Sequence, residues 1–164
     1  MSDSAIRASK ADSDELLALD NQLCFAVYAV NRAITSRYRP LLAKLDLTYP
    51  QYLVMLVMWE ADEAGETPRV SSIGERLRLD SGTLTPLLRR LEQRGLLSRQ
   101  RSSEDERVVT VALTDEGRSM RERATDVPVR LLCELGVGPE DAVRLRGELR
   151  DLLSHLERAE HHRE

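Results

Sequence analysis

Asp80-Ser81-Gly82-Thr83-Leu84-Thr85-Pro86-Leu87-Leu88-Arg89-Arg90-Leu91-Glu92-Gln93-Arg94-Gly95 is the stretch that decides the fold. Its first three residues form a turn with helix-capping chemistry. Leu84, Leu87, Leu88 and Leu91 recur at helical spacing and predict one inward face. Gly95 closes the helix. Pro86 falls close to the permitted first turn, so an irregular helix start is expected. Upstream, Ser71 is placed to cap a short helix reaching Leu79, with Ile73 and Leu77 inward. Two short helices joined by a tight glycine-containing turn make a helix-turn-helix. Downstream the period changes. Leu97 to Arg101 and Arg107 to Leu113 alternate as strands do, with Val109, Val111 and Leu113 on one face and the polar loop Ser102 to Glu106 between them. A hairpin directly after a helix-turn-helix predicts a mainly α fold with a small β wing, a winged helix over about residues 48–114.

On a helical wheel Gly82, Pro86, Arg89 and Gln93 face away from the leucines, flanked by Thr83, Thr85 and Arg90. Such a face suits the major groove of DNA, where arginine pairs bidentately with guanine and threonine meets a base edge or a thymine methyl. Ser81 and the free N–H groups at the helix start suit a phosphate. Arg101 and Arg107 bracket the hairpin loop and suit a narrow minor groove. Asp105 either orients Arg107 or only forms the turn. The bland alternative for each arginine is a solvated surface charge.

Charge distribution supports the first reading. The 164-residue chain carries a net −4. From Arg69 to Arg107, nine arginines stand against six acidic residues, a net of +3, so the remainder carries −7. A basic segment in an acidic body fits a DNA-reading module on a soluble scaffold. The length suffices for one domain with a real core. No run of eighteen apolar residues occurs, so no membrane span is expected. Met1 to Asp14 is small and polar and resembles no signal peptide, so a cytoplasmic protein with a flexible stretch over residues 1–13 is expected.

Outside the winged helix, Leu16 to Arg39 lacks Gly and Pro. Leu16, Leu23, Val27, Val30 and Ile34 read as a buried helical stripe, and Pro40 is expected to end that helix. A short helical piece from Leu41 to Leu45 can follow. Pro50 starts a helix to about Ala64 that carries Leu53, Leu56, Val57 and the lone Trp59. Thr114-Asp115-Glu116 caps a long helix that Pro128 kinks or splits. Gly136-Val137-Gly138 breaks it. Pro139 then starts a last helix expected to bury Ala142, Leu145, Leu149, Leu152 and Leu156, with a polar tail over 159–164.

Only two cysteines occur, Cys24 and Cys133. Neither belongs to a CxxC pair or a His cluster, so no metal or other cofactor is expected. Each is either a small buried apolar residue or redox-active. Cys24 lies on a second stripe with Leu17, Tyr28, Asn31, Thr35 and Tyr38. Tyr38 is fourteen residues on, roughly 21 Å along a straight helix. The two cannot touch within one straight helix, but an antiparallel partner helix could bring the second subunit's Tyr38 beside this Cys24. A thiol among phenols at a dimer seam would be a candidate chemical sensor.

The chain resembles the MarR family of bacterial winged-helix repressors. The resemblance rests on Asp80 to Leu88, on Asp105-Glu106-Arg107 in the wing and on Leu113-Thr114-Asp115-Glu116-Gly117 after it, and it extends from about Leu16 to Leu156. The string from Asp80 to Leu88, together with Cys24, Tyr38 and Tyr49, is similar to the organic hydroperoxide resistance repressors of the two-cysteine type. That resemblance implies one domain over residues 14–158, with dimerisation helices over about 14–47 and 115–158. It implies a homodimer that binds an inverted-repeat operator when reduced, takes organic hydroperoxide as inducer, and is not an enzyme.

The resemblance also assigns roles. Cys24 is the peroxide-reactive residue, and it must be partly ionised because a thiolate is the nucleophile. Tyr38 and Tyr49 are placed to donate to its sulfur; alternatively they are ordinary packed phenols. Cys133 of the other subunit would resolve the sulfenic acid, although a small external thiol could do so instead. Leu23, Phe25 and Val27 suggest an organic rather than an inorganic peroxide. Three other readings remain open: a MarR-type repressor induced by a small aromatic ligand, a thiol peroxidase, and a dimeric scaffold with no DNA target. The second is disfavoured by the missing strand-helix alternation of thioredoxin-like enzymes.

Overall fold

A computed structural model describes residues 15–101 and 108–161. Asp105 and Arg107 lie outside the described residues, as do the first fourteen residues and the last three. Two compact units are distinguished, residues 1–37 and 38–164.

In the first unit a helical piece over residues 15–17 gives way to a 3-10 turn, Leu19–Asn21, before α1 (Leu23–Ala43). The single helix expected from Leu16 is therefore interrupted. The reason is local: the Asn21 side-chain amide donates to the Glu15 carbonyl at 2.8 Å, and Gln22 donates to the carbonyl of Leu16. Side-chain amides that reach backbone carbonyls compete with the helical ladder. The stripe expected to be buried is also open: Leu23 is 64% exposed and Val30 54%.

The second unit takes over α1 from Tyr38. Pro40 sits inside this helix instead of ending it. An interior proline costs about 3 kcal/mol. Just beyond it Leu41, Leu42 and Leu45 are buried, and each buried leucine returns roughly 1.5–3 kcal/mol, so packing wins.

α2 (Tyr49–Glu63) starts where Thr48 N–H donates to Gln51 Oε1 at 2.8 Å, with Pro50 in the first turn where its missing N–H is harmless. α3 (Val70–Leu77) is closed by Arg78 in the left-handed conformation, and α4 (Ser81–Gln93) follows. Then β1 (Leu97–Arg101) pairs antiparallel with β2 (Val109–Leu113), in the register Leu97–Leu113 and Arg101–Val109. Val111 N–H also donates to the Pro68 carbonyl at 2.9 Å, which ties the hairpin to the chain entering α3. The core is made by Val54, Met55, Met58, Ile73, Leu84, Leu88, Leu91, Leu96, Leu97 and Val111.

Pro128 splits the next helical stretch, giving α5 (Asp115–Ala124) and α6 (Val127–Leu135). Gly136 ends α6 with φ of 63°. α7 (Pro139–His161) extends into the expected tail. Leu145, Leu149 and Leu156, expected to be buried, are exposed, and Ala142 and Leu152 are only half-buried. An apolar stripe of this length on a lone helix needs a second surface to cover it. Among the described residues no helix is long and apolar enough to cross a membrane.

Candidate nucleic-acid interface and thiol site

The start of α4 is regular, contrary to the expectation from Pro86, because Asp80 caps it. Its carboxylate accepts the Thr83 N–H at 2.8 Å and the Thr83 hydroxyl at 3.0 Å. These bonds hold the Asp80 carboxyl below its ordinary range. The Thr83 hydroxyl hydrogen is thereby spent on the cap, and its oxygen is left to accept. Pro86 stands in the second turn and has no N–H to offer the carbonyl of Gly82.

Ser81, Gly82, Thr83, Thr85, Pro86, Arg89, Arg90 and Gln93 are all exposed along one side of α4, opposite the buried Leu84, Leu88 and Leu91. Arg89 and Arg90 have no ion pair among the described residues. Arg101 is exposed at the end of β1.

Arginines passed over in the sequence reading set the helix in place. Arg94 donates to the carbonyl of Leu45 at 3.1 Å and to that of Asp46, anchoring the end of α4 to the α1–α2 connection. Arg99 in β1 holds Glu92 of α4 at 2.6 Å, keeping that carboxyl below its ordinary range. A groove of about 730 Å³ runs between α3, the start of α4 and the hairpin; Arg69, Ser71, Arg78, Ser81, Thr85 and Arg99 contribute to its walls. For Arg69, Arg78, Arg94 and Arg99 the only signal in the sequence was their place in the basic segment.

Cys24 is a free, exposed thiol on α1 in the first unit. One turn on, the Tyr28 hydroxyl accepts from Arg32 at 3.2 Å, with the guanidinium 5.6 Å from the ring centroid. In the second unit the structure brings Tyr38 and Tyr49 together, ring centroids 4.6 Å apart. Burial, with the neighbouring Tyr49 and Tyr52 hydroxyls, pushes the Tyr38 phenol up to about 12. Burial also raises Tyr49 and Tyr52. At neutral pH all three are therefore uncharged O–H donors. Cys133, on α6, is also free and exposed. The described residues hold no group of three or more His, Cys, Asp or Glu side chains suited to a metal ion.

A helix-turn-helix with a two-stranded wing, and a recognition helix whose outer face is polar and basic, defines a winged-helix regulator of transcription. The family of transcriptional regulators SarA/Rot matches residues 36–123. The chain is 49% identical over 140 residues to the organic hydroperoxide resistance transcriptional regulator of Bacillus subtilis, covering 85% of this chain and 92% of that one. It is 37% identical to AbfR of Staphylococcus epidermidis, solved bound to DNA in reduced and overoxidised forms. The TM-scores are 0.69 and 0.71, with 87% and 88% of this chain and 97% and 98% of those chains covered. The disulfide form of AbfR is similar at 35% identity and a TM-score of 0.62, over 90% of this chain and 98% of that one. The chain belongs to the MarR/SarA family of winged-helix transcriptional regulators.

Proposed function

We propose that this chain is a redox-sensing repressor: its reduced homodimer binds an inverted-repeat operator and lets go when an organic hydroperoxide oxidises Cys24. The observations that carry this reading are a free, exposed Cys24 in the first unit and, in the second, two uncharged phenols, Tyr38 and Tyr49, together with an α4 whose exposed face is basic. Likeness to a hydroperoxide resistance regulator supports the inducer class.

The chemistry balances without a cofactor. The Cys24 thiolate attacks the outer peroxide oxygen, and its electron pair forms the S–O bond as the O–O bond breaks. The leaving alkoxide takes a proton and departs as an alcohol. The phenols of Tyr38 and Tyr49 of the partner subunit are assigned as donors to the thiolate before attack. The Cys133 thiol of the partner subunit then condenses with the sulfenic acid, forming a disulfide and releasing water.

The open stripes of α1 and α7 are the surfaces that a second copy would cover. Twofold symmetry then sets two α4 helices about 34 Å apart, one turn of DNA, and a rigid-body shift of either removes the fit. AbfR is solved on DNA even when overoxidised. By analogy we assign the shift mainly to the disulfide, which draws two helices together, and less to oxygen on the sulfur.

Selection of bound duplexes from a random pool tests the reading. The reduced protein should enrich an inverted repeat, and cumene hydroperoxide should empty it. Failure to enrich any repeat, or a repeat equally well held after oxidant, would overturn it.

A further inference from the structure

The Tyr38–Tyr49 pair does not stand alone. Tyr52, 1% exposed, lies with its ring centroid 5.8 Å from that of Tyr38. Trp59, 5% exposed, meets Tyr52 edge-on at 6.3 Å. Tyr52 and Trp59 are seven residues apart on α2 and therefore share a face. The aromatic row crosses the winged helix and ends in a buried hydrogen bond, Trp59 Nε1–H to the carbonyl of Gly117 at 2.8 Å.

Gly117 sits at the joint of the reading head. A Cβ there would lie 2.2 Å from the Leu96 carbonyl oxygen, so α5 and the wing root touch backbone to backbone. Its N–H donates to the Thr114 hydroxyl at 3.1 Å, which itself donates to the Gly95 carbonyl at 2.5 Å. Thr114 N–H donates to Leu96 O at 3.1 Å, and Leu96 N–H to Leu91 O at 3.0 Å, inside α4. A close-packed row has little room to absorb a displacement, so it passes one on.

We propose that Tyr52 and Trp59 are positioning residues that couple the Tyr38–Tyr49 pair to the joint between the recognition helix and the wing. A change in what Tyr38 contacts then re-aims α4 through the Gly117 carbonyl. This inference rests on the oxidation-driven release proposed above. By linkage the coupling is also reciprocal: operator binding alters the surroundings of the same tyrosines.

The test uses full-length Trp59→Phe, Tyr52→Leu and Tyr52→Phe. Each is checked for cooperative melting and oxidised to completion by cumene hydroperoxide, as read by mass spectrometry. The readout is the ratio of operator affinities, reduced over oxidised. Trp59→Phe, which removes the N–H, and Tyr52→Leu, which removes the ring, should each lower that ratio at least tenfold below wild type. Tyr52→Phe, which keeps the ring, should preserve it. The two disruptive variants act at different points, so the folded one decides if the other does not fold. A wild-type ratio in Trp59→Phe or Tyr52→Leu overturns the coupling alone. A wild-type protein whose affinity ignores complete oxidation overturns the functional reading and the coupling with it.

Discussion

Tyr38, near the end of α1, and Tyr49, at the start of α2, pack with their rings tilted by 36° and centroids 4.6 Å apart. Ten residues and a tight turn separate them in sequence. Asp46 makes that turn with a φ of 52°, and Arg94 grips it by its carbonyl. The phenol pair is thus built into the same connection that anchors the recognition helix.

Alkaline titration reads the pair directly. Tyr38 holds its proton to about pH 12, against an ordinary value of 10.0. A group raised in the folded state contributes stability below its unfolded value and loses it as pH climbs through the folded one. Between pH 10 and 12 the unfolded chain gives up a proton that the folded chain keeps, so stability falls across that window. Phenolate absorbance should show a late step that Tyr38→Phe abolishes, and urea midpoints should drop less steeply in that variant. A Tyr38→Phe curve with the late step intact contradicts the assignment.

Arg89→Ala and Arg90→Ala should weaken operator binding without loosening the fold, because both side chains are exposed. A bidentate base contact is worth about 1–3 kcal/mol of discrimination, whereas a phosphate contact weakens all sequences alike and lowers the salt slope by about one. Anisotropy titrations at several salt concentrations separate the two. Unchanged affinity in both variants would remove α4's outer face from the interface.

Gly117→Ala should be among the costliest small substitutions. Its methyl would collide with the Leu96 carbonyl oxygen, a backbone atom that cannot swing aside. Overpacking of this kind costs typically 1–3 kcal/mol, and urea unfolding should show it. A wild-type midpoint would mean that the α5–wing joint is looser than the structure has it.

Cys133→Ser separates oxidation from cross-linking. After organic hydroperoxide the variant should carry oxygen on Cys24, by mass, yet show no linked dimer on a non-reducing gel. Its operator should be released less completely than that of wild type. A linked dimer in the variant would assign the bond elsewhere.

The winged helix was legible because its signals are local: a cap before a leucine period, then a change to strand alternation. Pro128 as a splitting point was legible for the same reason. Pro40 does not end its helix, because its cost is local while the burial of Leu41 and Leu42 that outweighs it is tertiary. The stripe on α1 shows that helical period announces an apolar face but not what covers it. Tyr52 and Trp59 share a face with Tyr49 that the helical spacing already contained. Their link to Gly117 depends on a contact between residues 58 positions apart, which no local pattern carries.

The sulfur of Cys24 is the centre of the account. The most direct measurement is the operator affinity of wild type and Cys24→Ser, each before and after an organic hydroperoxide and again after a thiol reductant. Wild type should lose its operator with oxidant and regain it with reductant, while Cys24→Ser should hold it throughout. A Cys24→Ser protein displaced by the peroxide as readily as wild type would contradict the account.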